Sequence, residues 1–385
     1  MAIDNKDKKI LNVPPLRFPE FTEEWKAEQL DNIATLSKGI GISKEQLSED
    51  GEPCILYGEL YTKYKSEIIK QVESKTDING SKLKRSKAND VIIPCSGETA
   101  VDIATARCVP FDNILFGGDL NVISLHQYDG AFMSYQLNGK RKYDIARVAQ
   151  GVSIVHLYGE HLKAIKTYNP TLPEQQKIAK LLSLLDDRID TQNKIIEDLK
   201  KLKSAISERL FKSVKGFTVL LYDLCDIVKG KQINGENLSD SGNYYVMNGG
   251  TEPSGYYDNY NVEASTISIS EGGNSCGYVQ FNTSPFWSGG HCYSIQNIAD
   301  KVDNMYLYHY LKSNEDAIMK LRIGSGLPNI QKKDLAMFKI IVPKIEWQIK
   351  ISTFLSSLER KAEIEERIQN VMQKQKLYLL QQMFI

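Results

Sequence analysis

Residues 173–186 read PEQQKIAKLLSLLD, and residues 346–359 read EWQIKISTFLSSLE. The second is a diverged copy of the first, displaced by 173 positions, the distance from Pro170 to Pro343. At this one offset, without a gap, Gln175 meets Gln348, Lys177 meets Lys350 and Ile178 meets Ile351. Leu182, Ser183 and Leu185 meet Leu355, Ser356 and Leu358, and Phe211 meets Phe384. Upstream, Gly151 meets Gly324 and Leu162 meets Leu335, while Leu157 and Ile165 find Ile330 and Phe338. The match weakens toward the front of each copy. There IATLSKG (33–39) is echoed by LCDIVKG (224–230), and FGGDLNVI (116–123) by SGGHCYSI (288–295). An internal repeat of this length dictates a fold in which one supersecondary plan is built twice. The plan is a globular segment followed by a long helix. The segments fall at 1–169, 170–215 (helix), 216–342 and 343–385 (helix).

The globular segments carry short β-branched and aromatic runs, such as VIIPCS, NVISLH, STISIS and HCYSIQ, broken by Gly, Asn and Asp. This pattern predicts mixed α/β (α+β) domains with turn-rich sheets. In the first helix Leu182, Leu185, Ile189, Gln192, Ile196, Leu199, Lys203, Ile206 and Leu210 recur in steps of three and four. Their counterparts are Leu355, Leu358, Ala362, Glu365, Gln369, Met372, Lys376, Leu379 and Met383. Such a stripe predicts coiled-coil pairing. Two-fold related repeats in one chain would naturally pair their helices antiparallel, and that is the expectation here. A register in which facing residue numbers sum to 568 sets Lys203 opposite Glu365 and Gln192 opposite Lys376, so that both polar breaks in the stripe find partners.

Global composition argues for no particular ligand. Lys plus Arg equals Asp plus Glu, at 48 each, so any polyanion surface must be local. The opening MAIDNKDKKI lacks the apolar core of a signal peptide, and no run approaches the ~18 apolar residues of a membrane span. Six scattered cysteines without a C-x-x-C pair read as reduced thiols of a cytoplasmic protein, with no metal site. A phosphate-binding loop, a dinucleotide fingerprint, a G-x-S-x-G elbow, H-E-x-x-H and N/D-P-P-[FY] are all absent from the sequence. The SGET turn, Ser96 to Thr99, has no histidine placed near it by spacing and reads as the end of a strand. His291, beside Gly289 and Gly290, reads as a polar-contact residue rather than an acid or base.

What remains is local polarity. Lys63, Lys65, Lys70, Lys75, Lys82, Lys84, Arg85 and Lys87 crowd one span of the first segment, and Lys140, Arg141 and Lys142 form a second basic run. These groups suit phosphates, or else a solvated loop. The second segment is instead rich in Tyr and Asn, including Asn248, Tyr256, Tyr257 and Asn274. Such side chains can read base edges and phosphates, or serve a core. Ser96, Glu98, Thr99 and His291 complete the candidate DNA-contacting set.

The whole chain resembles the specificity subunit of type I restriction–modification systems. The residues that carry the resemblance are VPPLRFPEFTEEW (Val13 to Trp25), then a globular segment, then Pro170-Thr-Leu-Pro-Glu-Gln-Gln-Lys-Ile-Ala179 leading a long helix to Leu210-Phe211, all repeated. The second copy departs at Trp347 and at Ala362. The resemblance implies two target recognition domains, each reading one half of a bipartite sequence in double-stranded DNA. It implies an antiparallel helical spacer that docks two methyltransferase (M) subunits, with restriction (R) subunits joining the complex. S-adenosylmethionine, ATP and magnesium would be bound by those partners, leaving this chain without a cofactor, catalytic residue or membrane partner. In the 568 register the paired helices span about 40–45 Å. That suits half-sites about 34–36 Å apart, one turn of duplex. The competing readings are a two-domain scaffold recognising something other than DNA, and an enzyme in its own right.

Overall fold

The computed structural model describes all residues except 1–11, 80, 81, 325 and 327, so the polar opening stretch lies outside the described residues. The chain divides into two compact units. One runs to Asn193 and also takes in Ile368–Ile385; the other is Lys194–Arg367. Both long helices, Leu172–Ser213 and Ile345–Gln382, are therefore shared between units. Each unit holds one globular segment, the start of its own helix and the end of the other copy's.

In the first unit the central sheet is antiparallel, in the order Ala34–Lys38, Leu120–Leu125, Asp90–Pro94, Arg107–Val109. Strand alternation sends side chains to two faces, and both faces are buried. Val91, Ile93 and Ile123 meet Met133 and Leu137 of the helix Gly130–Asn138. Ile92, Val109 and Val122 meet Ile55 and Phe116 of a second small sheet. The second unit repeats the order as Asp226–Lys229, Cys292–Gln296, Thr266–Ser270, Val279–Asn282. Its Ile267, Ile269 and Ile295 share a core with Tyr306, Leu307 and Leu311 of the helix Asn304–Ser313.

The repeat extends to single hydrogen bonds. Leu30 N–H donates to the Ile165 carbonyl at 3.0 Å, and Leu221 N–H to that of Phe338 at 2.9 Å. Asp129 caps the helix Gly130–Asn138 through the Phe132 N–H, and Asp303 caps Asn304–Ser313 through the Tyr306 N–H, each at 2.7 Å. The matched glutamines explain why the helix openings are the best kept text. Gln175 and Gln348 are almost fully buried. Gln175 Oε1 accepts from Asp129 N–H at 2.9 Å while its Nε2 donates to the Pro170 carbonyl at 2.8 Å. Gln348 does the same with Asp303 N–H and the Pro343 carbonyl, both at 2.9 Å. Each latch ties a long helix to the capped helix of its own globular segment.

The opening VPPLRFPEFTEEW has a use in the first unit. Arg17 grips Glu174 through Nε and Nη2, both at 2.7 Å, and Trp25 Nε1 donates to the same carboxylate at 3.3 Å. Trp25 then packs edge-on to Phe132 and Phe384. In the second copy Trp347 stands where Glu174 does, and is 59% exposed.

Every stripe position of both long helices is buried or half-buried, and within each unit the two helices run antiparallel. The register differs from the expected one. Lys203 binds Glu359 at 2.5 Å rather than Glu365, and Lys376 binds Asp186 at 2.7 Å rather than Gln192. Asn193 likewise accepts from Gln369, so facing numbers sum to 562. The reason lies outside the stripe. Asp186 also accepts from Tyr135 Oη at 2.7 Å, and Glu359 from Tyr308 Oη at 3.2 Å. Each lysine therefore seeks a carboxylate already held by a tyrosine of the globular segment, which the helix pattern alone does not reveal. In the first unit Glu67 joins the site at 2.6 Å from Lys376. Burial works against the Lys376 ammonium, but Glu67 and Asp186 outweigh it and hold its pKa above the ordinary lysine value. Glu365 pairs along its own helix with Lys361 at 3.2 Å.

His309 is buried, with Nε2 2.9 Å from Ser356 Oγ. Burial pushes its pKa down to about 4, against 6.5 for a free side chain.

Two outcomes follow from these contacts. Gln175→Leu leaves the Asp129 N–H and the Pro170 carbonyl unpaired, at a cost of about 1–3 kcal/mol. Amide exchange should speed up in Gly130–Asn138 but not in Asn304–Ser313, and Gln348→Leu should reverse the pattern. His309 has a folded pKa below its unfolded one. Its contribution is therefore present above about pH 6.5 and lost as the pH falls toward 4, by about 3 kcal/mol. Acid titration of unfolding should show this loss in Lys194–Arg367, and His309→Gln should remove it.

Candidate nucleic-acid interface

The repeat brings the front motifs together at one end of each central sheet. Gly39 N–H donates to the Leu120 carbonyl, and Gly230 N–H to that of Cys292, both at 2.8 Å. A side chain at Gly39 would meet the Gly117 carbonyl oxygen at 2.0 Å, and one at Gly230 would meet that of Gly289 at 2.1 Å. Glycine is therefore required at both crossings. Next to them, Cys95 N–H donates to the Asp119 carbonyl at 2.7 Å, and Glu271 N–H to that of His291 at 2.9 Å. Leu157 and Ile330, matched in the repeat, close the same end by donating to the Cys95 and Glu271 carbonyls.

On this shared backbone the side chains differ. In the first unit Lys38 lies 3.6 Å from Asp119, both half-exposed, above a buried Cys95 whose thiol burial pushes up to about 11. In the second unit the carboxylate sits below. Glu271 is buried and receives Lys229 Nζ at 2.6 Å and Tyr293 Oη at 3.0 Å. His291 lies above it, exposed, with its backbone N–H donating to Asn248 Oδ1 at 3.1 Å. Asn248 and His291 thus meet at one sheet end, and Asn274 is exposed on the turn after Glu271. Tyr256 and Tyr257 lie on a short strand paired with Tyr244 and Tyr245, and Tyr257 packs against Trp287.

In the first unit Ser96 and Glu98 line a cavity of about 690 Å³ with Tyr57, Tyr61, Asp102 and Arg107. Thr99 caps the helix Ala100–Ile103 by accepting from Asp102 N–H at 3.1 Å. The fold does bring a histidine to the SGET turn: His156 Nδ1 is 3.4 Å from Ser96 Oγ, through pairing of Ser96–Gly97 with Val155–His156.

The basic run separates into two kinds. Lys63 is held by Glu59 at 2.7 Å, Lys70 by Asp187 and Asp190, and Arg85 by Glu52 at 2.6 Å. Lys65 donates to the Tyr61 carbonyl. Lys82, Lys84 and Lys87 have no carboxylate partner among the described residues. Of the second run, Lys140 is exposed and Lys142 opens a short helix, but Arg141 turns inward. It binds Asp144 and the Ile385 carbonyl and lies over the Tyr168 ring. The residues that spacing alone passed over are Lys38, Asp119, Lys229 and Glu271. Lys38 and Lys229 were findable, because each is the lysine of a repeated K-G ending.

Among the described residues there is no cluster of His, Cys, Asp and Glu fit for a metal ion, and no helix long and apolar enough to cross a membrane.

A twice-built mixed α/β domain with paired long helices and a variable polar sheet end defines a duplicated recognition module. The model of the type I restriction modification DNA specificity domain matches residues 22–201 and again 217–374, and the chain belongs to that family. A type I specificity subunit of Mycoplasma genitalium is 34% identical over 119 residues, a match spanning 30% of each chain. The MjaVIII specificity subunit of Methanocaldococcus jannaschii is 24% identical over 96% of this chain and 94% of its own. The crystal structure of a type I S subunit from M. genitalium superposes with a TM-score of 0.69 at 20% identity, covering 97% of this chain and 99% of that one.

Proposed function

We propose that this chain is the DNA-specificity subunit of a type I restriction–modification complex, each globular domain reading one half of a bipartite duplex sequence. The observation that carries the reading is the pairing of a fixed backbone with divergent side chains at equivalent sheet ends, Lys38–Asp119 in one copy and Lys229–Glu271–His291 in the other. Two readers of different half-sites need such an arrangement. The exposed apolar residues of the long helices, among them Leu184, Phe354, Val371 and Leu377, suit docking of two M subunits, with R subunits completing the assembly. Methyl transfer with S-adenosylmethionine, and translocation and cleavage with ATP and magnesium, are assigned to those partners. Their phosphate contacts also make a neutral specificity subunit workable.

Single-molecule methylation sequencing of the host, with and without the gene, tests the proposal. One methylated two-part motif should vanish on deletion; an unchanged methylation pattern would overturn it. Within the reconstituted complex, changing Lys82, Lys84 and Lys87 together to Gln should lower the slope of log affinity against log salt by about 2–3. The motif itself should stay the same. Titration of affinity from low to moderate salt measures this.

A further inference from the structure

On the reading that this chain specifies a DNA sequence, we propose that His291 is a specificity-determining residue of the second recognition domain. Glu271 orients it, so that its Nε2 accepts a hydrogen bond from the exocyclic amino group of an adenine or cytosine in the major groove.

One buried carboxylate at this sheet end is only half used. Glu271 is 7% exposed. Its Oε1 takes both Lys229 Nζ and Tyr293 Oη, whereas Oε2 is buried without a hydrogen-bond partner. Buried carboxylate oxygens in this condition are rare and costly. The side-chain group facing Oε2 is the His291 ring, with Nδ1 at 3.8 Å. The His291 backbone is fixed on both sides, its N–H to Asn248 and its carbonyl to Glu271 N–H, while the side chain is 63% exposed. A small rotation of the ring closes the gap without moving the chain. Gly272 leaves the space beside Nδ1 open, since even a methyl group there would come no closer than 3.7 Å.

A carboxylate partner fixes the tautomer of an imidazole by taking the Nδ1 proton's hydrogen bond. The outward Nε2 then carries a lone pair. In the major groove the donors it can meet are the adenine N6 and cytosine N4 amino groups. In the first unit the equivalent positions are Cys95 and Asp119, so no buried carboxylate stands under the loop and the exposed acceptor is a carboxylate beside Lys38. The two domains therefore present acceptors of different shape and charge from one backbone frame.

Glu271→Gln gives the sharpest test. Its amide oxygen can still serve Lys229 and Tyr293, but its NH2 group would face Nδ1. That reverses the tautomer and turns Nε2 outward as a donor. The full-length chain, assembled with its methyltransferase subunits, would be assayed against a library randomised across both half-sites. His291→Ala should lose about tenfold discrimination at one base pair of the second half-site and none in the first. Glu271→Gln should move the preference at that same position toward an acceptor-bearing edge, guanine or thymine. Removing the amino group from that base, by purine for adenine or by the 4-deamino analogue for cytosine, should weaken the wild type about tenfold and His291→Ala not at all. The base affected tells adenine from cytosine. Unchanged discrimination in His291→Ala, or uniformly weaker binding without a changed preference in Glu271→Gln, would overturn the inference; intact first-half discrimination shows that either variant is folded. A wild-type complex with no bipartite preference would instead sink the specificity reading itself.

Discussion

A lysine held by a carboxylate that is itself held by a tyrosine, built once in each unit, is the constraint on which the long helices depend. Lys376 with Asp186 and Tyr135, and Lys203 with Glu359 and Tyr308, each join three segments of chain. Neither site is a cheap source of stability. Burying two charges costs several kcal/mol of desolvation, about as much as their attraction returns. What such a site supplies is discrimination. If either helix slips by one turn, a partly buried lysine is left facing apolar side chains, so alternative registers are penalised more than the native one is rewarded. A stripe of Leu, Ile and Met alone tolerates sliding. The lysines do not.

The same sites explain what was legible in the sequence. The stripe itself was readable, because an apolar residue every three or four positions has one physical meaning, and Leu182, Leu185, Ile196 and Leu355 are buried. The antiparallel sense followed from the duplication. The alignment did not, because the partners of Lys203 and Lys376 lie beside the stripe and are selected by Tyr308 and Tyr135, far away in sequence. Helix periodicity carries no information about a hydroxyl that arrives from another domain. Gln175 and Gln348 show the opposite case. Their identity at a fixed offset was visible, and only the structure shows that each satisfies a buried N–H and a buried carbonyl at once.

For the candidate interface the balance shifts further. The glycine crossings at Gly39 and Gly230 were legible as repeated K-G endings, since backbone contact at about 2 Å from a missing Cβ leaves glycine no substitute. The polar groups on top of them were legible only as residue types. A count of lysines could not separate Lys63 and Arg85, neutralised by Glu59 and Glu52, from Lys82 and Lys87. Nor could it show Arg141 turned inward onto Asp144, Tyr168 and the Ile385 carbonyl. Ion pairing is decided by tertiary proximity, and composition averages over it.

On the proposed reading, stability and recognition occupy different atoms of the same frame. Backbone bonds such as Cys95 to Asp119 and Glu271 to His291 hold both sheet ends in one geometry. Side chains at those positions can then change without a cost to the fold, provided that whatever becomes buried is satisfied. Glu271 does not meet that condition, because its Oε2 has no hydrogen-bond partner. Selection for stability alone would favour replacing it, since an apolar residue of similar size removes the unpaired oxygen, and Cys95 occupies the equivalent position in the first unit without difficulty. A buried, half-satisfied carboxylate beneath an exposed histidine is the kind of local cost that persists at functional sites and is offset elsewhere. On the proposed reading, the unsatisfied oxygen of Glu271 marks the second recognition surface more sharply than any cluster of positive charge among the described residues.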